Sequence, residues 1–93
     1  DRKTLTAAVK SVLHDPVYIT FDLDFFDPSI MPSVGTPEPG GLLWDDTLWL
    51  LHWVCTNFNI VGCDVVELCP IPGLVAPDFL AAKLVYHLMG LIF

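Results

Sequence analysis

Asp22 and Asp24 follow directly on an apolar run of β-branched and aromatic residues over positions 17–21. On a β-strand alternate side chains share a face, so the two carboxylates would lie side by side with their Cβ atoms roughly 6–7 Å apart. Neighbouring anions at the end of a buried strand repel each other unless a cation lies between them or one carboxylate is protonated. The pattern therefore indicates a metal site at the carboxyl end of a strand, where open α/β sheets bind ligands.

Three more acidic residues accompany this pair. Asp27 precedes a proline, a combination that commonly starts a turn, so we expect it to tie the following loop rather than to bind metal. Glu67 comes at the end of a second apolar run, beside the first pair if the two strands are parallel neighbours. Asp64 falls on the opposite face from Glu67 if the alternation is regular, and we expect it to be a hydrogen-bonding support.

Hydrophobic periodicity predicts the elements that would position these residues. They are a helix over residues 1–14, a strand over Val17–Asp24, a helix over Thr47–Asn57 capped by Asp45 or Asp46, a strand over Ile60–Leu68 and a helix from Pro77 to Leu91. This order is a βαβ unit with flanking helices, hence an α/β fold with a parallel sheet and helices on both faces. The first strand is apolar on both faces, so we expect it to be covered on both.

The segment from Asp27 to Gly41, between the first strand and the second helix, is rich in proline and glycine. Loops of this length without structure of their own are usually functional or disordered. Several prolines restrict the backbone here, which favours an ordered loop that leaves the strand end carrying the aspartates.

The composition narrows the classes of partner. The chain has 93 residues, of which 54% are hydrophobic and 16% charged, which is apolar for so small a domain. We therefore expect part of its surface to meet other protein, either in an oligomer or within a larger domain. The net charge of −7 argues against a nucleic-acid partner and suits a cationic ligand or a divalent metal.

The cysteines and the apolar C-terminal segment carry no sign of secretion or of a membrane span. Cys55, Cys63 and Cys69 form no C-x-x-C pair and have apolar neighbours, so we expect buried, reduced thiols in a cytoplasmic protein. No stretch has the pattern of a signal peptide. Residues 79–93 are apolar but too few to cross a bilayer, so no membrane partner is expected.

Three motifs occur in order along the chain: Asp22-x-Asp24-x-x-Asp27-Pro28, Gly35-Thr36-Pro37-Glu38-Pro39-Gly40-Gly41-Leu42 and Gly62-x-Asp64-Val65-Val66-Glu67-x-x-Pro70. Together they resemble the ureohydrolases, the arginase and agmatinase family. The residues of the second motif and of the segment 81–86 are more similar to the agmatinase branch of the family than to the arginase branch. The resemblance implies a three-layer α/β/α arginase-like fold.

The resemblance also implies a reaction and roles for individual residues. In this family two manganese ions, bridged by carboxylates, hold a hydroxide that attacks a guanidinium carbon and releases urea. Asp22 and Asp24 match metal ligands, Glu67 matches the glutamate that binds the substrate guanidinium and supports catalysis, and Thr36 matches a threonine of the pocket wall. The chemistry agrees, because carboxylate oxygens suit Mn²⁺ and a carboxylate can bind a guanidinium through two parallel hydrogen bonds.

The family's metal site also uses a histidine and an Asp-x-His-x-Asp segment that precede the part matched here, and this chain has neither. We expect its three histidines, His14, His52 and His87, to be packing or surface residues. Residues 1–93 are then expected to be the C-terminal portion of a single ureohydrolase domain. Two carboxylates are too few donors for two such ions, so we expect the isolated chain to be inactive.

Several alternatives remain beside this interpretation. An EF-hand calcium loop is excluded, because Phe26 and Asp27 occupy positions that need a ligand and a glycine. Asp22 and Asp24 could merely cap loop amides, and the chain could be a non-catalytic packing or oligomerisation piece. Among enzymes, the substrate is a small cationic guanidino compound, agmatine-like or that of a guanidinobutyrase, guanidine hydrolase, formiminoglutamase or arginase. The full enzyme is expected to be a homo-oligomer of polyamine metabolism.

Overall fold

A computed structural model describes all 93 residues. Its elements are α1 (Arg2–Val12), β1 (Val17–Asp22), a single turn of 3-10 helix (Leu23–Phe25), α2 (Trp44–Asn57), β2 (Ile60–Val66) and α3 (Ala76–Ile92). The predicted order of helix, strand, helix, strand, helix is confirmed. No helix combines the length and the apolar character that crossing a membrane requires.

The two strands form a parallel pair, joined by α2 as a βαβ unit. Phe21 lies opposite Val65 and Asp22 opposite Val66, so both strands end at the same edge. The register shifts by one residue between Val17 and Tyr18, which leaves Val61 without a partner. Parallel pairing of neighbouring strands therefore brings the predicted site residues of both strands to one end of the sheet.

The core lies on one face of this sheet. Side chains from β1, the 3-10 turn, the following loop, α2 and α3 form it: Phe21, Leu23, Phe26, Met31, Val34, Leu51, Ala81, Leu84 and Leu88. On the opposite face Tyr18, Thr20 and Val66 are exposed. The expectation that β1 is covered on both faces was therefore wrong within these 93 residues, because Tyr18 and Thr20 put polar groups on a side that this chain leaves open.

The element bounds differ from the predicted ones at the strand ends and the helix starts. Strand β1 ends at Asp22 rather than Asp24, and β2 ends at Val66 rather than Leu68. Helix α2 begins at Trp44, and neither Asp45 nor Asp46 caps it; the cap is Leu43, without a side-chain bond. The two aspartates lie in the first turn, where their charge complements the helix dipole. Helix α3 begins at Ala76, with the proline in its first turn.

Candidate functional site

Asp22 and Asp24 lie at the carboxyl end of β1, but not on one face of a continuous strand. Asp22 is the last strand residue, and Asp24 lies in the 3-10 turn. The Asp22 Oδ1 accepts a hydrogen bond from the Asp24 amide at 3.0 Å, which bends the chain out of the extended conformation. The strand-face argument for their proximity was wrong; a local side-chain cap holds both half-buried carboxylates at the strand end instead.

Thr36 contacts the second of these carboxylates from the long loop. Its hydroxyl donates to Asp24 Oδ2 at 3.1 Å. Each aspartate therefore has one oxygen engaged within the chain, and its other oxygen accepts no hydrogen bond from the protein. Hydrogen bonds within the protein thus use one oxygen of each aspartate, and the other oxygen of each stays available to a ligand.

Glu67 follows β2 directly, one residue beyond the partner of Asp22. Its φ of 75° lies in the left-handed region, which a residue with a Cβ rarely adopts. Such a conformation costs roughly 1–2 kcal/mol, and residues held in it cluster at functional sites. The turn stops the strand before Glu67 and leaves its side chain exposed at the sheet edge.

Backbone pairing joins the long loop to the segment that carries Glu67. Val34 forms an antiparallel bridge with Leu68, and the Cys69 amide donates to the Ser33 carbonyl at 2.8 Å. A Cβ placed on Gly35 would lie 3.7 Å from Glu67 Oε2. The loop residues next to Thr36 therefore lie against Glu67, and the four residues predicted as metal or substrate ligands all lie at this end of the sheet.

The base of the loop is closed by backbone hydrogen bonds and by Asp27. The Asp27 amide donates to the Leu42 carbonyl at 2.9 Å, and the Leu42 amide to the Phe25 carbonyl at 3.2 Å. The Asp27 carboxylate accepts from the amides of Ser29 and Gly40, each at 3.0 Å. Hydrogen bonds from Ser29 and then from the Gly40 amide hold the pKa of Asp27 below its ordinary value.

Gly41 is the residue on which this closure depends, and sequence reasoning missed its role. A Cβ there would lie 2.5 Å from the Asp27 amide nitrogen, 2.5 Å from the Phe26 carbonyl carbon and 2.6 Å from the Phe25 carbonyl oxygen. Backbone atoms cannot be moved aside as a flexible side chain can. The pair of glycines in the second motif was the available signal, since adjacent glycines mark a close backbone approach.

Asp64 lies on the open face of the sheet, away from Glu67. Its Oδ2 accepts from the Tyr18 hydroxyl at 3.1 Å and from the Thr20 hydroxyl at 3.4 Å, while its Oδ1 is buried without a partner. The hydrogen bond to Asp64 is the main cause that raises the pKa of Tyr18. Gly62 leaves room for this arrangement, because a Cβ there would lie 2.9 Å from Tyr18 Cε2.

The donor set at the sheet edge suits part of a divalent-metal site. Two aspartates with one unengaged oxygen each offer the hard ligands that Mn²⁺ or Mg²⁺ prefers. Nowhere in the chain do three or more His, Cys, Asp or Glu side chains come together in a group that could hold a metal ion. Asp22 and Asp24 could therefore supply part of a metal centre, and its remaining ligands would have to come from residues outside this chain.

The histidines and tryptophans lie outside this site. His14 and His52 are exposed, and His87 packs edge-on against Trp44 with ring centroids 5.8 Å apart. Trp44 also stacks on Phe26 at 6.1 Å. All three cysteines are unpaired thiols, but none is fully buried as expected: Cys55 and Cys63 are half-buried, and Cys69 is exposed because it follows the Glu67 turn at the surface.

Comparison with known proteins places this geometry in a family. The profile of the Arginase family matches residues 1–90. The N(1)-aminopropylagmatine ureohydrolase of Synechocystis sp. is 44% identical over 86 residues, which cover 92% of this chain and 28% of that protein. The enzyme of the same name from Thermus thermophilus is 51% identical over 75 residues, covering 81% of this chain and 25% of its own length.

A solved structure, that of the proclavaminate amidino hydrolase of Streptomyces clavuligerus, superposes with a TM-score of 0.81 at 35% identity. The match covers 96% of this chain and 30% of that one. The predicted arginase-like α/β fold is confirmed, and the chain spans 28% of the length of the Synechocystis relative. With three motifs at one sheet edge and a family profile over nearly its whole length, the chain belongs to the Arginase family of ureohydrolases.

Proposed function

We propose that the chain forms the C-terminal part of a ureohydrolase domain, and that the domain hydrolyses a linear guanidino compound to urea and an amine. The observation that supports this best is the convergence of Asp22, Asp24, Thr36 and Glu67 at the carboxyl ends of two parallel strands. Four side chains from three separated stretches of sequence meet there, one pair suited to a metal and one carboxylate suited to a cationic substrate.

In this proposal Asp22 and Asp24 bind the metal, two Mn²⁺ ions per complete site, through the oxygens that the protein leaves unengaged. A bound pair of divalent ions supplies a nucleophile from water at neutral pH by lowering the pKa of that water. Thr36 keeps Asp24 oriented, because a carboxylate whose second oxygen is fixed by a hydroxyl cannot rotate freely away from a ligand.

Glu67 binds and orients the substrate. A carboxylate facing a planar guanidinium accepts two parallel N–H bonds, which fixes the plane of the group as well as neutralising its charge. The turn at Glu67, next to the Val34–Leu68 bridge, fixes where the backbone of this residue lies at the sheet edge before substrate arrives. The backbone thus sets the region that the Glu67 carboxylate can reach, and the paired hydrogen bonds to the guanidinium would fix its orientation on binding.

The substrate is agmatine-like in this proposal. The acidic chain suits a cationic substrate. The relatives named N(1)-aminopropylagmatine ureohydrolase and agmatinase are the support for that choice. The complete enzyme is cytoplasmic and assembles as a homo-oligomer, and the 93-residue chain alone is inactive because its donor set is incomplete.

The test is a chimera in which this chain replaces the matched segment of the Synechocystis ureohydrolase. Two quantities are measured: urea release from agmatine and from aminopropylagmatine, and the amount of manganese bound to the protein. Asp24→Asn should lower Mn²⁺ affinity more than tenfold and reduce activity with it, because a ligand charge is lost. Glu67→Gln should leave the metal content unchanged and lower kcat/KM by about 30-fold to 150-fold. This factor corresponds to the roughly 2–3 kcal/mol that a pair of charge-assisted hydrogen bonds to the substrate contributes.

The control is an aspartate outside the site. Asp45→Asn alters an exposed residue of α2 that makes no side-chain hydrogen bond in the structure, and it should leave metal content and turnover unchanged. Loss of metal in Glu67→Gln would show that its assignment to substrate is wrong. Manganese-dependent urea release by the isolated 93-residue chain would contradict the proposal that its donors are incomplete.

A further inference from the structure

Gly35 lies across from Glu67 in the backbone pairing between the long loop and the segment that follows β2. The bridge between Val34 and Leu68 is antiparallel, so the next pair in the same register is Gly35 with Glu67. In such a register opposed side chains share one face, and their Cβ atoms lie about 4.5–5.5 Å apart. Because residue 35 is a glycine, the cross-strand space beside the Glu67 side chain holds no side chain of its partner.

Neither backbone conformation nor packing within this chain requires the glycine. Gly40 and Gly73 have φ values of 91° and 84°, in the left-handed region, whereas Gly35 does not lie in that region. A Cβ on Gly35 would have a single neighbour within 4 Å, Glu67 Oε2 at an ordinary contact distance of 3.7 Å. Alanine at a position of this kind stabilises a fold by restricting the unfolded chain. The one atom that a methyl group would touch belongs to the carboxylate proposed to bind substrate.

A methyl group at residue 35 would block part of the approach to Glu67 Oε2. A guanidinium nitrogen that donates to this oxygen lies about 2.9 Å from it, and about 3.5 Å or more from any methyl carbon. With the methyl carbon 3.7 Å from the oxygen, these lengths exclude a nitrogen from every direction within about 60° of the methyl group. A guanidinium on that side would keep only its hydrogen bond to the other carboxylate oxygen.

Thr36 relates this side of Glu67 to the proposed metal ligands. Its hydroxyl donates to Asp24 Oδ2 at 3.1 Å, so two consecutive loop residues lie beside the proposed substrate carboxylate and a proposed metal ligand. A substrate bound by Glu67 must present its guanidinium carbon to the metal side in order to react. The side of Glu67 that Gly35 leaves open is therefore the side on which the guanidinium lies.

We propose that Gly35 is a specificity-determining residue of the site, because its missing side chain lets a planar guanidinium reach both oxygens of Glu67. The inference rests on the function proposed above. It assigns to this residue part of the selectivity for a guanidinium over an ammonium group. An ammonium is a compact charge that a single carboxylate oxygen can bind, whereas a guanidinium uses both oxygens in one plane.

Steady-state kinetics of the manganese-loaded chimera tests this assignment. Gly35→Ala should lower kcat/KM for agmatine at least about tenfold, because one charge-assisted hydrogen bond to the guanidinium is lost. The diamine 1,4-diaminobutane has an ammonium group in place of the guanidinium, and its competitive inhibition constant should change less than about threefold. Bound manganese should be unchanged, since Thr36 keeps its hydrogen bond to Asp24.

Two further variants separate this effect from a general disturbance of the site. Gly90→Ala is the matched control, because a Cβ on this glycine of α3 meets no atom within 4 Å, and it should leave both constants unchanged. In a Glu67→Ala background the added methyl group obstructs nothing, so Gly35→Ala should lower kcat/KM less than about threefold there. Circular dichroism checks that each variant is folded.

The outcomes distinguish this inference from the function on which it rests. A chimera that releases no urea would remove the proposed function and this inference together. If the chimera is active and Glu67→Gln impairs it, but Gly35→Ala does not, the function stands and the assignment of Gly35 is overturned. Equal weakening of agmatine and of the diamine, loss of manganese, or an undiminished effect of Gly35→Ala without the Glu67 carboxylate would also overturn it.

Discussion

Replacing Gly41 by alanine should open the base of the long loop. The added Cβ would lie within 2.6 Å of three backbone atoms of residues 25–27, so the two chain segments must separate. Separation breaks the hydrogen bonds between Asp27 and Leu42 and between Leu42 and Phe25, each of which contributes about 1 kcal/mol. Because this separation relieves the steric overlap, the cost is that of the two lost hydrogen bonds, about 2 kcal/mol or roughly 30-fold in the opening equilibrium.

Hydrogen exchange of the Asp27 and Leu42 amides in the chimera measures this opening directly. Both amides should exchange roughly 30-fold faster in Gly41→Ala. Gly35→Ala is the matched control in the same loop, because its Cβ meets only Glu67 Oε2 at an ordinary 3.7 Å, and it should change exchange less than threefold. Unchanged protection in Gly41→Ala, or equal loss in both variants, would refute the closure as described.

Three further outcomes follow from the titrating and reactive groups. Because the folded state lowers the pKa of Asp27, its ionised carboxylate stabilises the loop at pH values above the ordinary carboxyl range. This stabilisation is lost as the pH falls through the folded-state pKa. Asp27→Asn should therefore remove the increase in amide hydrogen exchange of the loop at acid pH. Gly62→Ala should swing the exposed Tyr18 ring away and return its raised pKa towards about 10, read by ultraviolet titration; an unchanged titration would contradict this. Thiol labelling should be fast at exposed Cys69 and slow at Cys55, whose pKa burial raises; equal rates would contradict the structure.

Hydrophobic periodicity was sufficient for the order of elements but not for the geometry of the aspartates. Asp22 and Asp24 fit a strand by alternation, yet the Asp22 side chain bonds the Asp24 amide and ends the strand. Short acidic side chains compete with the sheet for backbone amides, and period-two reasoning does not include that competition. The residues of the site were therefore identifiable from sequence, whereas the reason for their proximity was not.

The contacts that bring Thr36 and Glu67 to the same edge are non-local. The Val34–Leu68 bridge and the bond between Ser33 and Cys69 join segments separated by more than 30 positions. No pattern within either segment encodes that pairing; only the family resemblance suggested that the two belong together. The left-handed turn at Glu67 was equally hidden, because glycine or asparagine is the usual residue in that conformation.

The closed base of the 27–41 loop also bears on how such a site can diversify. The chain leaves and re-enters at one backbone pair, Phe26 and Leu42, so exposed residues at the loop tip, 37–39, can be exchanged without altering the path of either strand. Substitutions or insertions around Glu38 would change the exposed tip of this loop, while the carboxylates on the sheet stay where they are. Under the function proposed above, the loop tip could then change, in evolution or by engineering, without altering Asp22 and Asp24 at the strand end.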